Sequence, residues 1–159
     1  MNNTNINTCI IKTKIGNFLI EAKNNKVTKI FPSNSSITNN ISLSLFKLVS
    51  KEINYFLEGK RKSFSFTLQP EGTSFQKKVW KQIKKIKRGK TMSYLDIANK
   101  INSSPRAIGS ACSNNKCLFI IPCHRVILSN GSIGEYVMGK NIKSFLLKLE
   151  KNSNDHLLL

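Results

Sequence analysis

The chain has 159 residues and a mass of 17.9 kDa, which suits one domain of ordinary size or two small packed domains. Apolar residues make up 40% of the sequence, enough for a globular core, and no apolar run approaches the roughly 18 residues of a membrane span. The N-terminal residues form neither a basic segment nor the apolar run of a secretion signal. From these features we do not expect a secreted or membrane-spanning protein, and we expect a cytoplasmic one.

Basic residues strongly outnumber acidic ones. There are 26 Lys and Arg residues against 8 Asp and Glu residues, which gives a net charge of +18. Such a charge raises the affinity for polyanions, so it favours nucleic-acid binding. A codon bias towards lysine is the alternative explanation, because 22 of the 26 basic residues are Lys. No basic amphipathic helix predominates, so a membrane surface is the less favoured partner.

The four cysteines are expected to be reduced thiols. They are Cys9, Cys112, Cys117 and Cys123, and their spacing matches no zinc-binding pattern. We therefore expect neither a metal site nor a cofactor.

The first half of the chain predicts a β-rich α/β arrangement. Apolar and β-branched runs at 9–12, 18–22 and 27–31 indicate three strands, with Asn24-Asn25 as a two-residue turn. A polar loop over 33–40 precedes a predicted helix at 41–58, which Gly59 ends, and a short strand is predicted at 63–67.

The second half is mainly helical. A helix capped by Thr73 or Ser74 is predicted to run to Gly89, with lysines along its outer face. Two short helices follow, at 94–101 with Ser93 as N-cap and at 106–113 after Ser104-Pro105, and the polar turn between them is typical of a helix-turn-helix. A last helix is predicted at 141–151. The stretch 69–73 is the best candidate for a domain boundary.

The segment at 121–126, Ile-Pro-Cys-His-Arg-Val, concentrates reactive side chains. A thiol attacks carbon as the thiolate, and a neighbouring imidazole can take its proton. His124 and the cationic Arg125 could activate Cys123 in this way, and Glu150 could orient the imidazole. The alternative is a buried thiol beside a surface histidine, which is the commoner arrangement for an isolated pair.

This hexapeptide resembles the signature of the O6-alkylguanine-DNA alkyltransferase family, and other segments agree with it over about 73–151. The further matches are Ser93-Tyr94 with Ile97-Ala98, Arg106 to Gly109, Asn114-Asn115, Asn130 to Gly134 with Tyr136, and Leu146-Leu147 with Glu150. The resemblance implies an α/β (α+β) fold. It comprises a ribonuclease-H-like N-terminal α/β domain at 1–70, a helix-turn-helix alkyltransferase domain at 71–152 and a flexible tail at 153–159.

The resemblance implies irreversible, single-turnover transfer of an alkyl group from O6-alkylguanine to Cys123. It implies O4-alkylthymine as a second substrate. His124 would take the thiol proton through a water, Glu150 would orient His124, and Asn115 would brace the active-site loop. Tyr94 would press on the phosphate of the flipped nucleotide and protonate the departing base, while Arg106 would fill its place in the stack. The carbonyls of Cys123 and Val126 would read the guanine amino group.

The remaining implied contacts divide between DNA and the substrate pocket. The expected DNA-binding residues are Ser93, Tyr94, Arg106, Ala107 and Ser110, and the expected pocket residues are Cys112, Val126, Tyr136, Val137 and Met138. The family usually has Ser-Gly where this chain has Val137-Met138, so Met138 is expected to narrow the pocket. Ser113 stands where a basic residue often occurs.

The implied partner is double-stranded DNA carrying O6-alkylguanine, bound by a monomer without a membrane. Two alternatives belong to other classes. A non-catalytic binder of damaged DNA would lack the cysteine. A helix-turn-helix regulator would leave Cys123, His124 and Glu150 without a role.

Overall fold

The structure is a computed structural model that describes residues 5–36 and 43–155, with side chains described up to residue 152. It contains strands and helices, as an α+β protein should. The chain divides into two units, Met1–Glu71 and Gly72–Leu159. This division falls within the 69–73 stretch that the sequence indicates as a boundary.

The first unit contains a three-stranded antiparallel sheet in the order β1-β2-β3. The strands are β1 (Ile6–Thr13), β2 (Gly16–Lys23) and β3 (Lys26–Ser33). Asn24 and Asn25 both have positive φ, 50° and 59°, which is the geometry of a tight hairpin turn whose twist matches the strands. The three predicted strands and their asparagine turn are thus confirmed. The closer assignment to a ribonuclease-H-like domain stays a prediction.

One helix, α1 (Ser44–Leu57), completes the regular structure described in this unit. Its apolar residues recur at helical spacing, so a single face is buried; the members of this face are Phe46, Val49, Ile53, Phe56 and Leu57. Gly59 follows with a φ of 77°, a conformation that glycine adopts without strain. The predicted helix at 41–58 is confirmed from Ser44 onward, and residues 37–42 lie outside the described residues.

The strand predicted at 63–67 is wrong. This segment makes only a single β-bridge, between Val27 and Leu68, instead of a ladder. The buried carboxylate of Glu52, on α1, accepts hydrogen bonds from both the backbone N–H and the hydroxyl of Ser65. These bonds hold the segment against the helix, and a period-two pattern of phenylalanines cannot reveal them.

The second unit begins with α2 (Ser74–Ile83), which carries the expected Thr73 N-cap. A capping box with Gln76 stabilises its first turn. The helix ends at Ile83, six residues before the predicted end at Gly89, because the chain tightens into turns in which the N–H of Ile86 bonds to the Ile83 carbonyl. The residues up to Gly89 form a loop, and the Gly89 N–H bonds to the Glu150 carboxylate.

The helix-turn-helix is formed by α3 (Tyr94–Ile101) and α4 (Pro105–Ser113). Ser93 caps α3 in a capping box with Asp96, Asn102 ends it at a φ of 54°, and Ser104 caps α4 with Pro105 in its first turn. Both predicted helices and their caps are confirmed.

Two elements beside this helix pair position the reactive segment. The 3₁₀ turn Cys123–Arg125 leads directly into β5 (Val126–Ile127), which pairs in parallel with β4 (Met92–Ser93). Since α3 begins at the residue after β4, this pairing brings Tyr94 to the segment that carries Cys123.

The last helix, α5, spans Lys140–Asp155 and is longer than predicted. No glycine or proline interrupts it, so the helix continues into the segment expected to be a flexible tail. Residues 153–155 are therefore helical, the flexibility of the tail stays a prediction, and residues 156–159 lie outside the described residues. In the described part of the chain no helix has the length and apolar character needed to cross a membrane.

Candidate active site

The reactive segment lies at the wall of a cavity of about 440 Å³ in the second unit. Residues from α3, α4 and the loop before α5 form the rest of the wall; the lining residues are Tyr94, Pro105, Gly109, Cys112, Ser113, Cys123, Leu128, Glu135, Tyr136 and Val137. Pockets that hold small molecules have volumes of roughly 300–1,000 Å³. The cavity therefore has room for a nucleobase.

Cys123 is a free thiol held at this wall with 5% of its surface exposed. Its N–H bonds to the Ile121 carbonyl at 2.8 Å. The side-chain amide of Asn115 donates to the Cys123 Sγ at 3.1 Å and to the Ile121 carbonyl at 2.9 Å, while its oxygen accepts the N–H of Cys117. Asn115 is completely buried, and its three hydrogen bonds connect the loop around the sulfur.

His124, Arg125 and Glu150 form a buried network behind the thiol. His124 Nε2 lies 2.8 Å from Glu150 Oε1, and Arg125 donates from Nε and from its second terminal nitrogen to the two oxygens of the same carboxylate, each at 2.8 Å. The N–H of Gly89 reaches Glu150 Oε2 at 3.2 Å. One carboxylate on α5 therefore fixes both residues that follow Cys123.

These contacts determine the protonation states. Burial alone would raise the pKa of Glu150, but hydrogen bonds from His124 and Arg125 outweigh it and lower this pKa to about 2. Burial lowers the pKa of His124, although Glu150 acts in the opposite direction. The imidazole is therefore neutral at pH 7. With Nε2 bonded to the carboxylate, Nδ1 is the nitrogen that can accept a proton, and it has no hydrogen-bond partner among the described residues.

Arg125 is paired with Glu150, although from the sequence we expected its charge to help activate Cys123. Its guanidinium turns away from the cavity, because Glu150 and the Ile86 carbonyl, at 2.6 Å, take its donors. The charge of Arg125 thus compensates the buried carboxylate and is not a direct partner of the Cys123 sulfur.

Two tyrosines stand beside the thiol in the cavity wall. Burial raises the pKa of Tyr94 and of Tyr136 well above the ordinary value, so both remain phenols that can donate a hydrogen bond. The Tyr136 ring meets the His124 ring edge-on, with 6.4 Å between the ring centroids. The Tyr136 hydroxyl has no partner among the described residues.

Lys143, on α5, belongs to the site although sequence reasoning missed it. It is completely buried, and its ammonium donates to the Val126 carbonyl at 2.6 Å and to the Glu135 carbonyl at 3.1 Å. Burial lowers the pKa of Lys143 to about 8. Its helical spacing could have revealed it. Lys143 lies three residues before Leu146 and seven before Glu150, on the same buried face of α5.

The pocket residues expected from the sequence are only partly on the cavity wall. Cys112, Tyr136 and Val137 line it, whereas Val126 and Met138 do not. The Val126 side chain is completely buried and its carbonyl already accepts the Lys143 bond. Val137, at 44% exposure, occupies the wall where Met138 was expected to narrow the pocket.

Helix α4 presents three distinct faces. Ile108 and Ala111 are buried, and the Trp80 indole N–H bonds to the Ala111 carbonyl at 2.9 Å. Pro105, Gly109 and Cys112 face the cavity at helical spacing. The third face carries the exposed DNA-binding candidates Arg106 and Ser110, with Ala107 half-buried; Ser93 lies outside this helix, where its hydroxyl caps α3.

The described residues contain no group of three or more His, Cys, Asp or Glu side chains that could hold a metal ion. A buried, free cysteine in a base-sized cavity, backed by a neutral histidine and bounded by a helix-turn-helix, defines a thiol-based group acceptor. The helix pair is of the type that binds nucleic acid.

Comparisons with known proteins agree with this class. The model of the 6-O-methylguanine DNA methyltransferase DNA-binding domain matches residues 74–152. The methylated-DNA–protein-cysteine methyltransferase of Methanosarcina mazei is 44% identical over 110 residues, which cover 68% of this chain and 70% of that protein. The constitutive methylated-DNA–protein-cysteine methyltransferase of Bacillus subtilis is 32% identical over 89% of this chain and 93% of its own length.

A solved structure extends the agreement to the fold. The Mycobacterium tuberculosis OGT in complex with DNA superposes with a TM-score of 0.82 at 31% identity, covering 91% of this chain and 92% of that one. The chain belongs to the methylated-DNA–protein-cysteine methyltransferase family.

The Glu150 network predicts how stability depends on pH. The carboxylate has an ordinary pKa near 4.5 and a folded pKa of about 2, so its contribution is fully present above pH 4.5 and is lost as the pH falls towards 2. The shift corresponds to about 3 kcal/mol of unfolding free energy. Glu150→Gln should abolish this part of the acid dependence and destabilise the protein at pH 7 by about 3–5 kcal/mol, because Arg125 loses its buried partner.

Urea unfolding followed by circular dichroism at pH 7 and pH 3 measures both effects. Glu135→Gln is the matched control, since Glu135 forms an ion pair with Lys140 while its side chain is 84% exposed. The control should retain the wild-type acid dependence. An equal response of the two variants would contradict the role assigned to Glu150.

Proposed function

We propose that this protein repairs DNA by direct, irreversible transfer of the alkyl group of O6-alkylguanine to Cys123, once per molecule. The observation that carries the proposal is the placement of a free thiol at the wall of a base-sized cavity, where Asn115 donates to its sulfur and the neutral His124 is the next residue. The names of the matching relatives, which mention methylated DNA and a protein cysteine, support the same chemistry.

The thiol must lose its proton to attack carbon. A hydrogen bond with Cys112 and burial raise the pKa of Cys123, so the resting sulfur is protonated. His124 Nδ1 takes this proton, directly or through a water, while Glu150 stabilises the imidazolium that forms. The sulfur then forms a bond to the alkyl carbon as the bond from that carbon to guanine O6 breaks.

The departing guanine is a poor leaving group unless its negative charge is neutralised. Tyr94 is the candidate for this step, because it lines the same cavity as the thiol and remains protonated. The product is a thioether, which no group in the described site can reverse.

The proposed partner is double-stranded DNA, approached by the exposed face of α4. The second unit holds 16 of the 26 basic residues and only 4 of the 8 acidic ones, so the charge is concentrated in the unit that contains the cavity. The target base must leave the stack to reach a wall that lies behind α4. The proposal includes a monomer acting in the cytoplasm, with O4-alkylthymine as a second substrate.

Cys123→Ser should abolish alkyl transfer while leaving DNA affinity within about twofold, because the nucleophile and the exposed face of α4 lie on different segments. The measurement is transfer of a labelled methyl group from O6-methylguanine in a duplex, with the labelled residue located by peptide mass. Cys117→Ser is the matched control, since Cys117 is a buried thiol outside the cavity wall. Label on Cys9, Cys112 or Cys117 in the wild type would overturn the proposal.

Arg106→Ala should slow repair of duplex DNA by at least tenfold and leave the reaction with free O6-benzylguanine nearly unchanged. Arg106 is exposed in the first turn of α4, where it can occupy the space of the flipped base, whose unstacking costs a few kcal/mol. Lys81→Ala removes an equal charge from the exposed face of α2 and controls for electrostatic attraction. Equal losses on the duplex for both variants would show that Arg106 contributes only charge.

A further inference from the structure

A second thiol shares the cavity with Cys123. Cys112, in the last turn of α4, lines the same wall, and its interaction with Cys123 contributes to the raised pKa of the Cys123 thiol. Alkyl transfer needs only one of the two thiols. Cys112 therefore lies beside the nucleophile without a role in the proposed reaction.

The backbone independently holds the two cysteines together. The N–H of Asn115 bonds to the Cys112 carbonyl at 3.1 Å, and the side-chain amide of the same asparagine donates to the Cys123 Sγ at 3.1 Å. One completely buried residue thus connects the end of α4 to the reactive sulfur. Because Cys112 is half-buried and the cavity is open to solvent, a small oxidant can reach the pair.

We infer that Cys112 and Cys123 are a site of reversible oxidation, in which hydrogen peroxide converts the two thiols to a disulfide. This inference relies on the proposed function for its consequence, since a Cys123 sulfur bonded to Cys112 cannot accept an alkyl group. The disulfide would store the protein in an inactive form that a thiol reductant restores.

The chemistry proceeds in two balanced steps. The Cys123 thiol gives its proton to His124, and the sulfur attacks one peroxide oxygen, so that the O–O bond breaks and the products are a sulfenic acid and water. The Cys112 sulfur then attacks the Cys123 sulfur, the S–O bond breaks, and a second water leaves. Each sulfur is oxidised by one electron, and the two peroxide oxygens are reduced to water.

A neighbouring thiol also protects the nucleophile. A sulfenic acid without a resolving thiol is oxidised further to sulfinic acid, which thiol reductants do not reverse. Closing the disulfide requires the two side chains to rotate until the sulfurs are about 2.05 Å apart. Since both side chains line one cavity and Asn115 bonds to both residues, the closure is a local movement of the two side chains.

The test treats the full-length reduced protein with a small excess of hydrogen peroxide and maps its peptides by mass. The mass of the wild type should fall by two hydrogen atoms, and its digest should contain a Cys112–Cys123 cross-linked peptide. Its rate of methyl acceptance should fall, and dithiothreitol should raise that rate again by at least tenfold. Cys117→Ser should behave in the same way, because Cys117 is buried outside the cavity wall. Cys112→Ser, compared with its own reduced sample, should form no internal disulfide and should gain two oxygens at Cys123 irreversibly.

A wild type oxidised only to the sulfinic acid, or a cross-link that includes Cys9 or Cys117, would overturn the inference. The two proposals fail separately. A reduced protein that accepts no methyl group but still forms the Cys112–Cys123 disulfide would overturn the alkyl transfer and leave the oxidation site intact.

Discussion

The site depends on one buried carboxylate. Glu150 accepts hydrogen bonds from His124, Arg125 and the backbone of Gly89, and it is completely buried. An isolated charge in that position would cost several kcal/mol, so the ionised form persists only because Arg125 neutralises it in a two-point contact. The histidine is thereby held in one tautomer, in which Nδ1, the nitrogen that is not bonded to Glu150, can accept a proton.

The helices and strands around the carboxylate position the residues of the cavity wall. α5 supplies both Glu150 and Lys143, so the same buried stripe orients His124 and fixes the carbonyls of Val126 and Glu135. The short pairing of β4 with β5 sets the start of α3, and with it Tyr94, against the Cys123 segment. Asn115 then joins the end of α4 to the sulfur. The Cys123–His124 turn, the helix that carries Glu150 and the helix that begins at Tyr94 are thus separate segments that one small core holds in register.

The sequence predicted those features that depend on local patterns or on a specific motif. The hairpin at Asn24-Asn25, the caps of α3 and α4, and the grouping of Cys123 with His124 and Glu150 follow from turn chemistry, capping residues and the hexapeptide. Features that depend on long-range polar contacts could not be predicted. Ser65 bonds to Glu52 in place of a strand ladder, and Arg125 turns to Glu150 and not to the thiol. The third difficulty was the orientation of side chains within a turn. The resemblance that suggested Met138 as a wall residue does not show which of two adjacent side chains faces the cavity.

The most direct measurement of the central claim is a double-mutant cycle on the rate of methyl transfer, with His124→Gln, Glu150→Gln and the combined variant. All three are compared at pH 7 under conditions where circular dichroism shows them folded. If Glu150 acts through His124, each single change should lower the rate by roughly 10²–10⁴, the range of a general base, and the combined variant should be no slower than the slower single variant. Losses that multiply in the combined variant would contradict the account, because the two residues would then act on the reaction independently.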